Sequence, residues 1–307
     1  MKVLCFGSLN IDYTYTVPHF VGKGETLSAD SLRTFCGGKG LNQSVALARA
    51  GLNVCLAGAV GGDGGFLLEQ LRANGVDPRY VQVLSDLRTG HAIIQNDAEG
   101  DNCILVFRGA NGCTTREHTD RVLANYGPGD LLVLQNEIND LGYIMELAAA
   151  KGMRIALTPA PMTDEVKTLP LRTLNYLFLN ETECARLLGG ALDPLRQPEE
   201  SAQELRRLYT DAAVLLTLGE RGCVYADGSC CLRQEAIPVQ AVDTTGAGDT
   251  FMGYFLASRL EGASLQQALH VAALASAIAV TRHGASASIP TKDEVLARLW
   301  KTTVGKP

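Results

Sequence analysis

Residues 42–60, NQSVALARAGLNVCLAGAV, change periodicity part-way along. Asn42 to Ala50 carries apolar residues at helical spacing and stops at Gly51, whereas Val54 to Val60 is an apolar run of strand length. With the strand predicted for Val3 to Gly7 upstream, the segment reads as strand, helix, strand. The same rhythm continues outward. Phe66, Leu67, Leu71 and the stop at Gly75 mark a helix, Leu131 to Leu134 a strand, and Asp140 to Lys151 a further helix. Strands follow at 153–158, 174–179 and 213–218, and the tail is helical at 247–260, 264–281 and 291–301. This alternation predicts an α/β protein with a mainly parallel central sheet. Segments 13–34 and 89–108 break the rhythm with alternating residues and turn formers, and they predict antiparallel strands added to the α/β core. From the residues alone, a lid over a cleft and an edge hairpin are equally good readings of them.

The chain has 307 residues, 46% of them hydrophobic, with a formal charge of −6 and 32 glycines. A core of that size excludes disorder as the main state. No basic run is dense enough to coat a nucleic-acid backbone, so nucleic acid is not an expected partner. The longest apolar stretch, Ala268 to Thr281, is short of the roughly 20 residues that span a bilayer and reads as a buried helix. The opening MKVLCFGSLNID shows no secretory pattern, so the expected location is cytoplasmic, without a membrane partner. Nine cysteines form no CxxC pair, which points to reduced thiols and away from a disulfide framework or a zinc site. The five histidines lack the spacing of a zinc hydrolase.

The strongest chemical signal is DTTGAGDTF, residues 243–251, between a strand predicted at 237–242 and a helix of small residues. Glycines at a helix start let an anion approach the free N–H groups and the positive end of the macrodipole. Asp249 falls in the first turn, where its carboxylate can take a proton from a hydroxyl while Gly246, Ala247 and Gly248 hold a phosphoryl group. A second glycine-rich helix start is GGKGLNQ, 37–43, either an N-capped turn or a place where the glycines admit a ligand, Lys39 supplies a charge and Asn42 bonds to a polyol. It lacks the spacing of a P-loop. GSLNID, 7–12, sets Asn10 and Asp12 two apart after the first strand, either as an Asx turn or as a pair for neighbouring hydroxyls. NETE, 180–183, reads either as a capping box or as Glu183 serving a water-coordinated magnesium ion. TLGERG, 217–222, is a tight turn or a nucleotide contact, and Glu137 is a single acid after a strand.

In this order, GSLNID, GGKGLNQ, Glu137, NETE, TLGERG, AVDTTGAGDTF and AVTRHGAS resemble the ribokinase family of carbohydrate kinases from Val3 to about Pro290. The resemblance implies an α/β/α sandwich made of 1–12, 35–88 and 113–307, with 13–34 and 89–112 as a β-lid that also pairs two subunits. It implies transfer of a phosphoryl group from ATP to the terminal hydroxyl of D-ribose, with another pentose, a ketohexose or a nucleoside as alternative acceptors. A binding regulator that lost turnover is the competitor from another class, and the retained Asp249 and motif glycines argue against it. Asn10, Asp12, Gly38, Lys39, Asn42 and Glu137 are implied to hold the sugar, with Ile94 and Cys103 tuning its choice and Asp249 acting as base. ATP is implied to lie against Asn180, Thr217, Gly219, Gly222 and Gly248, with Mg²⁺ bridged by water to Glu183. An activating K⁺ is implied at Asp243, Thr245, Ala279, Arg282, Gly284 and Ser288. Thr158 stands where the family commonly has asparagine.

Overall fold

The computed structural model describes residues 1–99 and 101–304. Its first strand explains the layering. In β1 (Val3–Phe6) all four side chains are buried, Val3 and Cys5 in one apolar cluster and Leu4 and Phe6 in another. A strand apolar on both faces belongs in the middle of a sheet covered on both sides. The large sheet has nine strands in the order β13, β12, β11, β10, β9, β8, β1, β4, β5. The parallel members are β1, β4 (Val54–Gly61), β5 (Val76–Leu84), β8 (Leu131–Gln135), β9 (Arg154–Thr158), β10 (Tyr176–Asn180) and β11 (Ala213–Thr217). Strands β12 (Cys223–Ala226) and β13 (Cys231–Gln234) extend it as an antiparallel edge.

Helices α1 (Lys39–Arg49), α7 (Ala247–Leu260) and α8 (Leu265–Ala279) contribute to the cluster of Val3 and Cys5. Helices α3 (Arg116–Leu123), α4 (Leu141–Ala150), α5 (Glu181–Leu187) and α6 (Pro198–Tyr209) contribute to the other. Helix α2 (Gly65–Ala73) lies beside β5, and α9 (Ala285–Ser288) and α10 (Lys292–Val304) close the chain. Helix α7 is buried continuously from Asp249 to Ala257, so it has no polar face to pattern. It crosses α1 closely: a Cβ added at Gly253 would lie 2.5 Å from Ala46 Cβ. This crossing carries the first turn of α7 over Asn42.

The small sheet has the order β3, β2, β6, β7, formed by β2 (Asn10–Thr16), β3 (Ser31–Gly37), β6 (Gly90–Asn96) and β7 (Asn102–Phe107). Its outer pairs are antiparallel as expected, but the central pair, β2 with β6, is parallel. Both strands start beside the same end of the large sheet, Asn10 opposite Gly90, and run outward together. Because β2 starts at Asn10 and β3 ends at Gly37, Asn10, Asp12 and residues 35–37 belong to the small sheet, not to the larger unit assigned from the sequence.

Two further expectations change. Strand β5 follows α2 where no strand was predicted; Pro78 within it lacks an N–H, which suits an edge strand with its register shift against β4. Residues 237–242 form no strand. Pro238 removes a donor there, and the Val242 and Asp243 N–H groups both donate to Val280 O instead of a ladder partner. Among the described residues, no helix is long and apolar enough to cross a membrane.

Candidate active site

The carboxyl ends of the parallel strands, where α/β sheets bind ligands, gather most of the residues singled out above. Asp249 lies in the first turn of α7 and is 7% exposed. Its Oδ2 accepts from Asn42 Nδ2 at 3.3 Å and its Oδ1 from Gln43 Nε2 at 2.8 Å. Gly246 precedes the helix with φ 77°, a left-handed conformation that favours glycine. A Cβ added at Gly248 would meet no atom within 4 Å, so the space above this helix start is open. Asn42 Oδ1 is buried without a hydrogen-bond partner, beside Asp249. A buried acceptor in that state calls for a donor such as a ligand hydroxyl.

Asn10 and Asp12 open β2. Asn10 is buried, and its Oδ1 accepts from Asn111 Nδ2 at 2.7 Å. Asn111 also clamps the Leu9 backbone, accepting from its N–H at 3.0 Å and donating to its carbonyl at 3.2 Å. Burial, with the Glu137 carboxylate nearby, pushes the Asp12 carboxyl up to about 7. Glu137 accepts from Ser8 Oγ and, at 3.1 Å, from the Lys39 N–H. Burial works against charge on the Lys39 ammonium, but Asp249, Glu137 and Glu183 together hold it above the usual lysine range. The predicted sugar residues therefore share one electrostatic unit with the base.

Asn180 and Thr217 are paired neighbours at the ends of β10 and β11, and Gly219 and Gly222 bracket the short turn that follows. Asn180 and Glu183 form a capping box, with Glu183 N donating to Asn180 Oδ1 at 2.8 Å and Asn180 N to Glu183 Oε2 at 2.9 Å. Burial pushes the Glu183 carboxyl up. Among the described residues no group of three or more His, Cys, Asp or Glu could hold a metal. A single carboxylate such as Glu183 suits a magnesium ion that keeps most of its waters. The loops proposed for potassium are tied together: Gly284 N donates to Asp243 Oδ2 and Thr245 N to Asp243 Oδ1, both at 2.9 Å, and the Val280 carbonyl accepts from Val242 and Asp243. Burial opposes charge on Asp243, but these donors hold its carboxyl below the usual range. Ala279 O accepts from Arg282 N, the Arg282 side chain pairs with Glu294 at 2.6 Å, and Ser288 Oγ donates to Ala285 O. Backbone oxygens and one carboxylate, the ligand types these loops carry, are of the kind that suits a hard cation.

A cleft of about 620 Å³ separates the small sheet from these loops, with Asp12, Ile94 and Ile104 on one side and Asp243, Thr245 and Gly284 on the other. Ile94 lines it as expected, but Cys103 does not. Side chains alternate along β7, so Asn102 and Ile104 face the cleft and Cys103 points away.

Residues 1–292 match the model of the pfkB family carbohydrate kinases. The chain belongs to this family. The Staphylococcus aureus ribokinase is 35% identical to it over 304 residues, 96% of this chain and 98% of that protein. Among solved structures, the ribokinase of Cryptococcus neoformans var. grubii in complex with ADP aligns with TM-score 0.87 and 35% identity, covering 97% of this chain and 99% of the other. Arabidopsis thaliana ribokinase complexed with ribose and ATP aligns with TM-score 0.84 and 30% identity, covering 97% and 98%. As a pfkB family member with the ribokinase-like fold, the chain is a carbohydrate kinase by family. Sequence reasoning left Ser8, Gln43, Asn111 and Gln135 out of the site of this kinase. The available signal was their chemistry: polar side chains in segments otherwise built for burial.

Proposed function

We propose that the chain is an ATP-dependent ribokinase, transferring the γ-phosphoryl group of ATP to the terminal hydroxyl of D-ribose to give ribose 5-phosphate. The observation that carries this is the position of Asp249: a carboxylate at an open, glycine-rich helix start, beside the unpartnered Asn42 oxygen. Asn10, Asp12 and Asn42 orient the sugar hydroxyls, and Lys39 balances the surrounding carboxylates. Asp249 takes the proton of the hydroxyl as it attacks, and the N–H groups of 246–248 stabilise charge on the transferred group. ATP lies against Asn180, Thr217, Gly219 and Gly222. When bound, magnesium near Glu183 neutralises phosphate charge, and potassium held by the loops of Asp243, Thr245, Ala279, Arg282, Gly284 and Ser288 fixes the backbone next to Gly246. Ribose and ATP in the Arabidopsis relative and ADP in the Cryptococcus one support the substrates.

The small sheet acts as a lid across the cleft. On the face of its outer strand β7 turned away from the cleft, Leu105 and Phe107 are exposed, an apolar pair suited to a second subunit, and this supports a homodimer. The nine free cysteines support a cytoplasmic location. An ADP-release assay across ribose, deoxyribose, fructose, tagatose and several nucleosides, with and without potassium, tests the assignment. Ribose is expected to give the highest kcat/KM, with potassium raising the rate; equal or better turnover of another acceptor would replace ribose as the substrate.

A further inference from the structure

Two buried carboxamides lie beneath the base without a role in the reaction above. Gln43, on α1, and Gln135, at the end of β8, are both 0% exposed. Gln43 Nε2 donates to Asp249 Oδ1 at 2.8 Å and to Thr158 Oγ1 at 3.2 Å. Gln135 Nε2 donates to Gln43 Oε1 at 2.7 Å, with Cys5 Sγ as a second acceptor at 3.5 Å. A carboxamide has one donor end and one acceptor end. Turning Gln43 over would set its oxygen against the Asp249 carboxylate and its NH₂ against the NH₂ of Gln135. The carboxylate therefore fixes the direction of Gln43, and Gln43 that of Gln135, whose own Oε1 is buried without a partner.

A buried carboxylate without donors favours its neutral form, and a neutral carboxyl cannot accept a proton. The Gln43 donor on Oδ1 opposes that tendency, and Oδ2, which takes one donor from Asn42 Nδ2 at 3.3 Å, keeps a second lone pair to face the substrate. We propose that Gln43, held in orientation by Gln135 and Thr158, is a positioning residue for the general base: it directs Asp249 Oδ2 toward the attacking hydroxyl and keeps the carboxylate in its proton-accepting form. The proposal rests on Asp249 being the base. Other ionisable groups facing Asp249 are Lys39 from α1, Glu183 from α5 and Cys5 from β1. Burial pushes the Cys5 thiol up to about 12, so it stays neutral over the working range.

The test compares Gln43→Leu, Thr158→Val, Asp249→Asn and the double variant Gln43→Leu with Asp249→Asn, using ribose and ATP and following ADP release across pH. Gln43→Leu should lower kcat by about 10- to 100-fold, the scale of a misplaced reacting group, with the KM for ribose nearly unchanged. It should also move the acidic limb of the kcat profile to higher pH. In the Asp249→Asn background the same change should cost nothing further, because its effect passes through that carboxylate. Additive losses, or an acidic limb that stays in place, would overturn the proposal. If Gln43→Leu does not fold, Thr158→Val, which removes one of its anchors, should shift the limb in the same direction by less, and no shift would overturn it. Near-normal turnover in Asp249→Asn would remove the base assignment itself. Collapse of that variant beside an unaltered Gln43→Leu would remove only the role of Gln43.

Discussion

The floor of the site and its lid are built to different standards of rigidity. Around Asp249 the polar side chains are buried and both carboxylate oxygens are bonded: Gln43 and Gln135 are 0% exposed, and the helix that carries the base is buried over nine consecutive residues. The small sheet opposite is half exposed, and Leu105 in its outer strand is 67% exposed. Proton transfer tolerates little error in position, whereas a surface that admits and releases a sugar must move. On the proposed function, the contrast predicts that rate depends on the floor, and that affinity and sugar choice depend more on the small sheet.

The sharpest way to break this comparison is at the base. Asp249→Asn is expected to cut kcat by about 10² to 10⁴, the usual worth of a general base, while ribose binding measured by calorimetry survives; loss of binding in proportion to rate would contradict the division. Next in size is the pH dependence of binding through Asp12, which belongs to the lid strand β2. In the free site burial, with Glu137 nearby, pushes its carboxyl up to about 7. Sugar hydroxyls donating into it favour the charged form, so below pH 7 binding must expel a proton. The Kd for ribose should therefore rise as pH falls, by up to about tenfold per unit, with proton release seen as calorimetric heats that depend on the buffer. A Kd that is flat from pH 5.5 to 8 would show that Asp12 does not take up the sugar in this way. The smallest effect is expected within β7. Ile104→Ser should change the KM for ribose by a few-fold with kcat nearly constant, and Cys103→Ser, facing away, should change neither.

What the sequence revealed follows from how local each signal was. DTTGAGDTF was legible because a left-handed glycine, a helix start and an acid in the first turn lie within a few residues, and the α/β alternation was legible because the central strands bury both faces. The parallel pairing of β2 with β6 joins Asn10 to Gly90 and depends on both strands leaving the same end of the large sheet, so no local pattern encodes it. The edge strands β5 and β13 carry polar residues and, in β5, Pro78, which mask their character, while β12 is apolar but only four residues long. Gln43 was quoted within its motif yet left without a role, because its partners Asp249 and Gln135 stand 206 and 92 residues away.

Strand β2 runs without interruption from Asn10, deep under the sheet edge, to Thr16 at the rim of the cleft, and is paired on both sides along that length. Such a ribbon would act as a lever with Asn10 and Asp12 on its short arm. A swing of the rim would be transmitted to both residues, the proposed grip on the sugar and the exclusion of water would then be one motion, and a probe placed at Thr16 would report on both.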